Sequence, residues 1–228
     1  MTPLVLLAGM NCTADLWSGC GLDHAITPEF STVSIEAQVD ALLDGLPQRF
    51  VLGGLSLGAI VAMALAIQAP ERVAGLILAS TNAKAPTDAQ CQGWRDWLER
   101  LDAGVTAREL QRSILSALLT PSSCAARPDL VERVLSMGDA TGAAALRDQL
   151  VMQTTRVDLR TGLRGLTVPT LVVSGVDDPI CPPSFHSELV EAIPGARLEM
   201  LSAGHLLPME RPAEFGALVR DWIERVPA

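Results

Sequence analysis

The chain of 228 residues has few of the side chains that build metal, redox or phenolic sites. It contains three histidines, no tyrosine and 4% aromatic residues. The five cysteines are Cys12, Cys20, Cys91, Cys124 and Cys181, and no two of them form a CxxC pair. Scattered cysteines in odd number predict neither a disulfide framework nor a zinc knuckle, and so few histidines argue against a metal site. Without tyrosine, no phenol can hold an oxyanion or a leaving group.

Long apolar runs and an excess of basic residues are also missing. The formal net charge of −9 argues against a nucleic-acid partner. No run approaches the roughly 18 apolar residues of a membrane span. The N-terminal sequence MTPLVLLAGM lacks the basic region of a signal peptide, and its apolar run is too short for one. We therefore expect a cytoplasmic protein in a reducing environment.

What the chain does have is enough apolar sequence for one substantial core. The hydrophobic fraction is 49% and the mean hydropathy is +0.30, which is typical of a globular protein. A length of 228 residues suits one domain better than two.

The most informative motif is Gly54-Leu55-Ser56-Leu57-Gly58, a match to G-x-S-x-G. It follows an apolar run and precedes a run of small and apolar residues, which predicts a strand, a sharp turn and a helix. Glycines two residues either side of Ser56 remove side chains that would collide in such a turn. The alternative is an ordinary strand-to-helix turn with an incidental serine.

Alternating strand and helix patterns predict an open, mostly parallel sheet of about six strands with helices on both faces. The expected strands are residues 4–8, 22–26, 50–53, 73–79, 170–174 and 197–201, and that at 22–26 has the weakest pattern. The expected helices outside the middle of the chain are residues 34–46, 59–68, 184–192 and 213–225.

The middle of the chain has a different character. Residues 86–166 contain no buried-strand pattern, and helices are predicted at residues 89–101, 106–119, 128–137 and 142–154. A helical stretch of this length between two strands is too long for a simple crossover. We therefore expect a helical cap at residues 86–166, inserted into a core formed by residues 1–85 and 167–228.

A serine nucleophile needs a base, and the base needs a group that orients it. His205 follows the last predicted strand, at the sheet edge where ligands bind in parallel sheets. His186 falls in a predicted helix and is expected on the surface, and His24 is expected to be exposed. Asp177 and Asp178 follow another strand, and spacing alone allows either of them to be the acid or a simple turn residue. The order Ser, Asp, His indicates nucleophilic catalysis.

With these motifs the chain resembles the α/β-hydrolase superfamily over nearly its whole length. The resemblance rests on the serine turn at residues 54–58, the G-x-x-D segment at 175–178, the Gly-His pair at 204–205 before 209–212, and the helical cap. It is similar to capped serine esterases and lactonases with a shortened N-terminus. Because the family's acid is the third residue after the glycine, the resemblance implies a triad of Ser56, Asp178 and His205.

The resemblance also implies an oxyanion hole made of two backbone N–H groups, those of Leu57 and Met10. Such a donor is worth about 3–4 kcal/mol to the transition state. The family often has His-Gly at the start of the Met10 loop, whereas this chain has Ala8-Gly9, but backbone donors do not need the histidine side chain. The usual two N-terminal strands are missing, which shortens the expected sheet.

An apolar substrate pocket is expected beside these residues, lined by Leu55, Trp17, Trp94, Trp97 and Leu206. Trp94 and Trp97 lie one turn apart on a cap helix, and core packing is the alternative explanation for both. No arginine is clearly placed to bind a carboxylate, although the cap contains Arg95, Arg147 and Arg156. These features favour a small-molecule substrate, an apolar acyl compound or a lactone.

The leading hypothesis is therefore a serine hydrolase acting on a carboxylic ester, thioester or lactone through an acyl-enzyme. The same scaffold also serves lyases, cyclases, synthases and C–C bond hydrolases, with His205 as the general base, so fold does not fix the reaction. A non-catalytic ligand-binding protein is the third hypothesis. The hydrolase mechanism requires no cofactor and no metal, and the oligomeric state is not predicted.

Overall fold

The computed structural model describes residues 2–226, which fold around one parallel sheet. Its strands are β1 (Leu4–Leu7), β2 (Phe50–Leu55), β3 (Val73–Ala79), β4 (Thr170–Gly175) and β5 (Arg197–Leu201). They neighbour one another in the order β1-β2-β3-β4-β5, and each pair is parallel. The predicted α/β class is confirmed, although the described part of the sheet has five strands rather than about six.

The strand predicted at residues 22–26 is wrong. Ile26 alone pairs with the sheet, in an isolated bridge to Val5. The N–H of Ala25 donates to the carbonyl of Leu22 at 2.9 Å, so the backbone before Ile26 turns instead of extending. This segment therefore covers the edge of β1 without lengthening the sheet.

Side chains of the sheet alternate between two apolar clusters, one on each face. In β1, Leu4 and Leu6 belong to the first cluster, whereas Val5 and Leu7 belong to the second. The first cluster also includes buried residues of α11 (Pro212–Ile223), and the second includes those of α1 (Ile35–Gly45), α2 (Leu57–Gln68) and α9 (Pro183–Ala192). Because β1 to β4 are buried throughout, they appear in the sequence as continuous apolar runs.

The chain between β3 and β4 is helical. Its helices are α3 (Asp88–Asp102), α4 (Ala107–Ser113), α5 (Leu115–Leu118), α6 (Pro121–Ala126), α7 (Pro128–Thr154) and α8 (Arg160–Leu163). Trp94, Leu110 and Leu150 are among the residues of a third apolar cluster that joins α3, α4 and α7. These helices therefore pack on one another through a small core of their own.

Two details of these helices differ from the sequence prediction. The helix expected at residues 106–119 is divided between α4 and α5, at Ile114 with φ −116°. The helices expected at 128–137 and 142–154 are the two arms of α7, which meet at Gly142 with φ 71°. Glycine adopts this positive φ at little cost, so it breaks the helix without a loop.

The last short helix is α10 (Leu207–Glu210), directly before α11. Among residues 2–226, no helix combines the length and the apolar content needed to cross a bilayer.

Candidate active site

The structure brings three sequence-predicted residues to one edge of the sheet. Ser56 follows β2, Asp178 lies just beyond β4, and His205 lies just beyond β5. The carboxyl ends of parallel strands share one edge, where ligands bind in such sheets. Ser56 and His205 line a common cavity of about 290 Å³.

The serine turn is strained and closely packed. Ser56 has φ 53° and ψ −113°, a conformation that residues with a side chain rarely adopt. A Cβ atom on Gly54 would lie 2.4 Å from the carbonyl carbon of Gly58, and one on Gly58 would lie 2.2 Å from the carbonyl oxygen of Leu7. The N–H of Ser56 donates to the carbonyl of Ala79 at 3.0 Å. Both glycines are therefore required by close backbone contacts.

Asp178 and His205 form a buried pair. Nδ1 of His205 lies 2.9 Å from Oδ2 of Asp178, and each residue is 3% exposed. The other carboxylate oxygen, Oδ1, accepts the N–H groups of Ile180 and Cys181 at 2.9 Å each. Asp177 is exposed. Of the two aspartates that spacing left open, Asp178 is the one beside His205.

A second buried carboxylate, that of Glu210, fixes the loop that carries His205. Glu210 accepts the N–H of Gly204 at 2.7 Å and the hydroxyl of Thr120 at 2.6 Å, and it also accepts the hydroxyl of Ser123. Thr120 and Ser123 belong to the helical segment, meaning the helices α3 to α8 between β3 and β4. Glu210 therefore joins the helical segment to the loop that carries His205. Sequence reasoning missed this contact, because a glutamate before an Arg-Pro pair gives no sign of burial.

The two expected oxyanion donors lie at the same end of the sheet. Within residues 2–226, the N–H groups of Met10 and Leu57 donate no hydrogen bond to another residue. The next residue, Asn11, has φ 57° and donates its N–H to Oε1 of Gln149 at 2.8 Å. Its side-chain amide donates to Oε1 of Gln111 at 2.9 Å. Buried amides of the helical segment thus hold the Met10 loop in an unusual conformation.

The family is decided by comparison of this chain with known proteins. The model described as "Alpha/beta hydrolase family" matches residues 12–218. The chain belongs to the alpha/beta hydrolase family.

Two curated relatives and one solved structure support a hydrolase. A protein named 3-oxoadipate enol-lactonase 2, from Acinetobacter baylyi, is 31% identical over 82% of this chain and 68% of its own length. A pimeloyl-acyl-carrier-protein methyl ester esterase from Klebsiella pneumoniae is 30% identical over 93% of this chain and 90% of its own. A thermophilic esterase from Thermogutta terrifontis matches with a TM-score of 0.89 and 26% identity, over 100% of this chain and 91% of that structure.

The cavity of this α/β hydrolase contains most of the expected pocket residues. Leu55, Trp94, Trp97 and Leu206 line it, together with Met10, Ile60, Leu118, Ile114, Gln153 and Ile180. Trp94 and Trp97 also pack in the core of the helical segment, so each contributes both to the cavity wall and to an apolar core. The prediction that Trp17 lines the pocket is wrong. It lies outside the cavity and stacks on Phe215, with ring centroids 5.9 Å apart.

The three arginines of the helical segment have different positions. Arg156 lines the cavity and is buried. Arg95 is exposed and bonds to Gln92 on its own helix, whereas Arg147 pairs with Asp102. The sequence does not distinguish them, because the cavity is built from segments far apart in the chain.

Two buried cysteines, Cys12 and Cys181, line the cavity. Burial raises the pKa of Cys12 and of Cys181 to about 12 in each case, so both stay protonated at neutral pH. Cys181 lies near Asp178 and His205, and three potential metal-ligating atoms come within 4.8 Å of one another there. Because a protonated thiol is a poor ligand and the other two groups bond each other, we assign this cluster to the Asp178–His205 pair.

The surface position expected for His186 is wrong. Its side chain is buried where α9 packs against the loop after β3, and Nε2 accepts the N–H of Thr81 at 3.0 Å. Nδ1 lies 3.3 Å from the carbonyl oxygen of Pro182, which places the ring proton on Nδ1. The hydroxyl of Thr81 donates to the carbonyl of Ser56 at 3.1 Å. His186 therefore supports the serine turn through Thr81, and burial lowers its pKa.

We expect the His186→Gln variant to lose less stability on acidification than the wild type. The pKa of His186 is lower in the folded protein than its value of about 6.5 in the unfolded chain. On acidification the unfolded chain therefore binds a proton that the folded chain excludes. The stability contributed by neutral His186 is therefore present above about pH 6.5 and falls by up to about 1.4 kcal/mol per pH unit below it. Glutamine keeps an acceptor for Thr81 and does not titrate.

The measurement is the free energy of unfolding in urea at about pH 7.5 and about pH 5.5. These two pH values lie on either side of the ordinary histidine pKa. The exposed His24 provides the control, and His24→Gln should keep the wild-type difference between the two pH values. An unchanged pH difference in His186→Gln would contradict the assignment.

Proposed function

We propose that this α/β hydrolase is a serine hydrolase that cleaves a carboxylic ester, thioester or lactone through an acyl-enzyme. The observation that carries the proposal is the buried Asp178–His205 pair, at 2.9 Å, beside the strained Ser56 in one cavity. Relatives named as an enol-lactonase and a methyl ester esterase support a carbonyl substrate. In this proposal the partner of the chain is a small molecule.

In the first half-reaction, the hydroxyl oxygen of Ser56 attacks the substrate carbonyl as Nε2 of His205 takes its proton. The carboxylate of Asp178 accepts the Nδ1–H of His205 and stabilises the imidazolium that forms. The negative charge on the former carbonyl oxygen is held by the N–H groups of Met10 and Leu57. His205 then gives its proton to the leaving oxygen or sulfur, and the carbonyl re-forms as an ester of Ser56.

The second half-reaction uses the same groups in the same roles. His205 removes a proton from water, and the hydroxide oxygen attacks the acyl carbon. When the tetrahedral intermediate collapses, the proton returns to the oxygen of Ser56 and the carboxylic acid leaves. For a lactone, the leaving oxygen of the first step stays attached to the acyl group, so one ring-opened product is released.

We also propose that residues 86–166 are the cap over a core of residues 1–85 and 167–228. The support is that this segment has its own apolar cluster and contributes Trp94, Trp97, Gln153 and Arg156 to the cavity. All five cysteines are free thiols, which supports a reducing compartment such as the cytoplasm.

Covalent labelling by a fluorophosphonate tests the proposal, because such probes react with a serine activated by a base. Intact mass should show one adduct per chain, and the labelled peptide should contain Ser56. The adduct should vanish in Ser56→Ala and remain in Ser187→Ala, which removes an exposed serine. A folded wild type that stays unlabelled would overturn the acyl-enzyme and favour a lyase or cyclase reaction.

A further inference from the structure

Arg156 is a buried cation inside the proposed active-site cavity. It is 7% exposed, and it lines the same cavity as Ser56 and His205. Removing a guanidinium from water costs several kcal/mol unless an opposite charge compensates it. A buried arginine in this position therefore needs an anionic partner.

The hydrogen bonds of Arg156 go to neutral acceptors. Nη1 donates to Oε1 of Gln153 at 3.2 Å, and Nη2 donates to Oδ1 of Asn82 at 3.2 Å and to the carbonyl of Lys84 at 3.0 Å. The Nε–H is buried and has no acceptor within residues 2–226. These contacts fix the position of the guanidinium and leave its charge uncompensated.

The nearby carboxylates are used elsewhere. Glu188 pairs with Lys84 at 2.8 Å, and Asp158 pairs with Arg160. Within residues 2–226, no ion pair includes Arg156. Burial lowers the pKa of Arg156, but the ordinary value of a guanidinium is so high that the group stays charged.

The surroundings of Arg156 suit a planar anion. Its Cζ lies 6.0 Å from the centroid of the Trp94 ring, and Trp94 also lines the cavity. A guanidinium held beside an aromatic ring and by fixed acceptors keeps a defined orientation, which favours a carboxylate over a flexible or spherical ion.

We propose that Arg156 binds a carboxylate of the substrate, at the end remote from the reacting carbonyl. The proposal rests on the serine-hydrolase function above and narrows its substrate class to esters, thioesters or lactones that carry a free carboxylate. Apolar side chains such as Ile60 and Leu118 line the same cavity and suit an aliphatic connection between the carboxylate and the reacting carbonyl. The mainly apolar substrate expected from the sequence thus gains one anionic group.

Two esters of equal shape test this assignment. One is mono-p-nitrophenyl adipate, which carries a free carboxylate, and the other is p-nitrophenyl 6-methylheptanoate, in which an isopropyl group replaces that carboxylate. A hydrogen bond to a charged group changes an affinity by about 10- to 100-fold. The kcat/KM of the wild type should therefore be higher for the adipate ester than for the branched ester by that factor.

Variants then separate the charge of Arg156 from its packing. Arg156→Met should remove the preference, so that the ratio of the two kcat/KM values, adipate ester over branched ester, falls about 10- to 100-fold. Arg156→Lys should keep part of the preference. Arg147→Met removes an arginine outside the cavity and should behave as the wild type does with both esters.

A binding measurement separates failure of this proposal from failure of the proposed function. Calorimetry with adipate dianion should show binding to the wild type and at least tenfold weaker binding to Arg156→Met, whether or not any ester is hydrolysed. If neither ester is hydrolysed but adipate binds in this Arg156-dependent way, the carboxylate site stands and the hydrolase function fails. Equal losses for both esters in Arg156→Met, or hydrolysis without preference, would overturn the carboxylate site.

Discussion

Replacing Asp178 by asparagine is expected to lower kcat by about four orders of magnitude with the fold intact. The N–H groups of Ile180 and Cys181 both donate to Oδ1, so the amide oxygen of asparagine must take that place. Its NH₂ group then replaces Oδ2 and donates to Nδ1 of His205. The ring proton moves to Nε2, and His205 in this tautomer cannot accept the proton of Ser56.

The neighbouring aspartate provides the matched control. Asp177→Asn makes the same chemical change one residue earlier, on an exposed side chain, and should leave kcat within about twofold of the wild type. Both variants should unfold at temperatures close to that of the wild type, because neither changes side-chain volume. Steady-state hydrolysis of a p-nitrophenyl ester measures kcat. A loss below about tenfold in Asp178→Asn, or equal losses in both variants, would exclude the orienting role.

The serine turn and most of the sheet were predictable because their causes are local in the sequence. Gly54 and Gly58 flank Ser56 within five residues, and each buried strand is a short continuous apolar run. The strand prediction failed at residues 22–26, where a turn closed by Leu22 and Ala25 overrides a weak apolar pattern. The remaining core strands were found within two residues of their observed ends.

The rest of the site depends on contacts between distant segments, which no local pattern contains. Spacing cannot separate Asp177 from Asp178, because the choice depends on which side chain the turn directs toward His205. The helix pattern places His186 on the surface because it does not show that the adjacent loop covers the side chain. The environment of Arg156 depends on Asn82 and Lys84, which lie far earlier in the chain and bind it without compensating its charge.

Gly58→Ala is expected to cost about 3 kcal/mol of stability or more, a large part of the 5–15 kcal/mol typical of a domain. The added Cβ atom would lie 2.2 Å from the carbonyl oxygen of Leu7 and 2.5 Å from that of Ala8. Both atoms belong to backbone at the end of β1, so no side-chain rotation can relieve the contact. Helix α2 must then move away from β1, and Ser56 and the N–H of Leu57 move with it.

A glycine in open space distinguishes this contact from the general effect of adding a methyl group. Gly45 lies in the last turn of α1, and a Cβ atom there would meet nothing within 4 Å. Gly45→Ala should therefore stabilise the protein by up to about 1 kcal/mol, because alanine loses less backbone entropy than glycine in a helix. Urea unfolding of both variants gives the two free energies. Similar stabilities for Gly58→Ala and the wild type would mean that α2 shifts at little cost. In that case the close approach of α2 to β1 would not explain why the motif has a glycine at position 58.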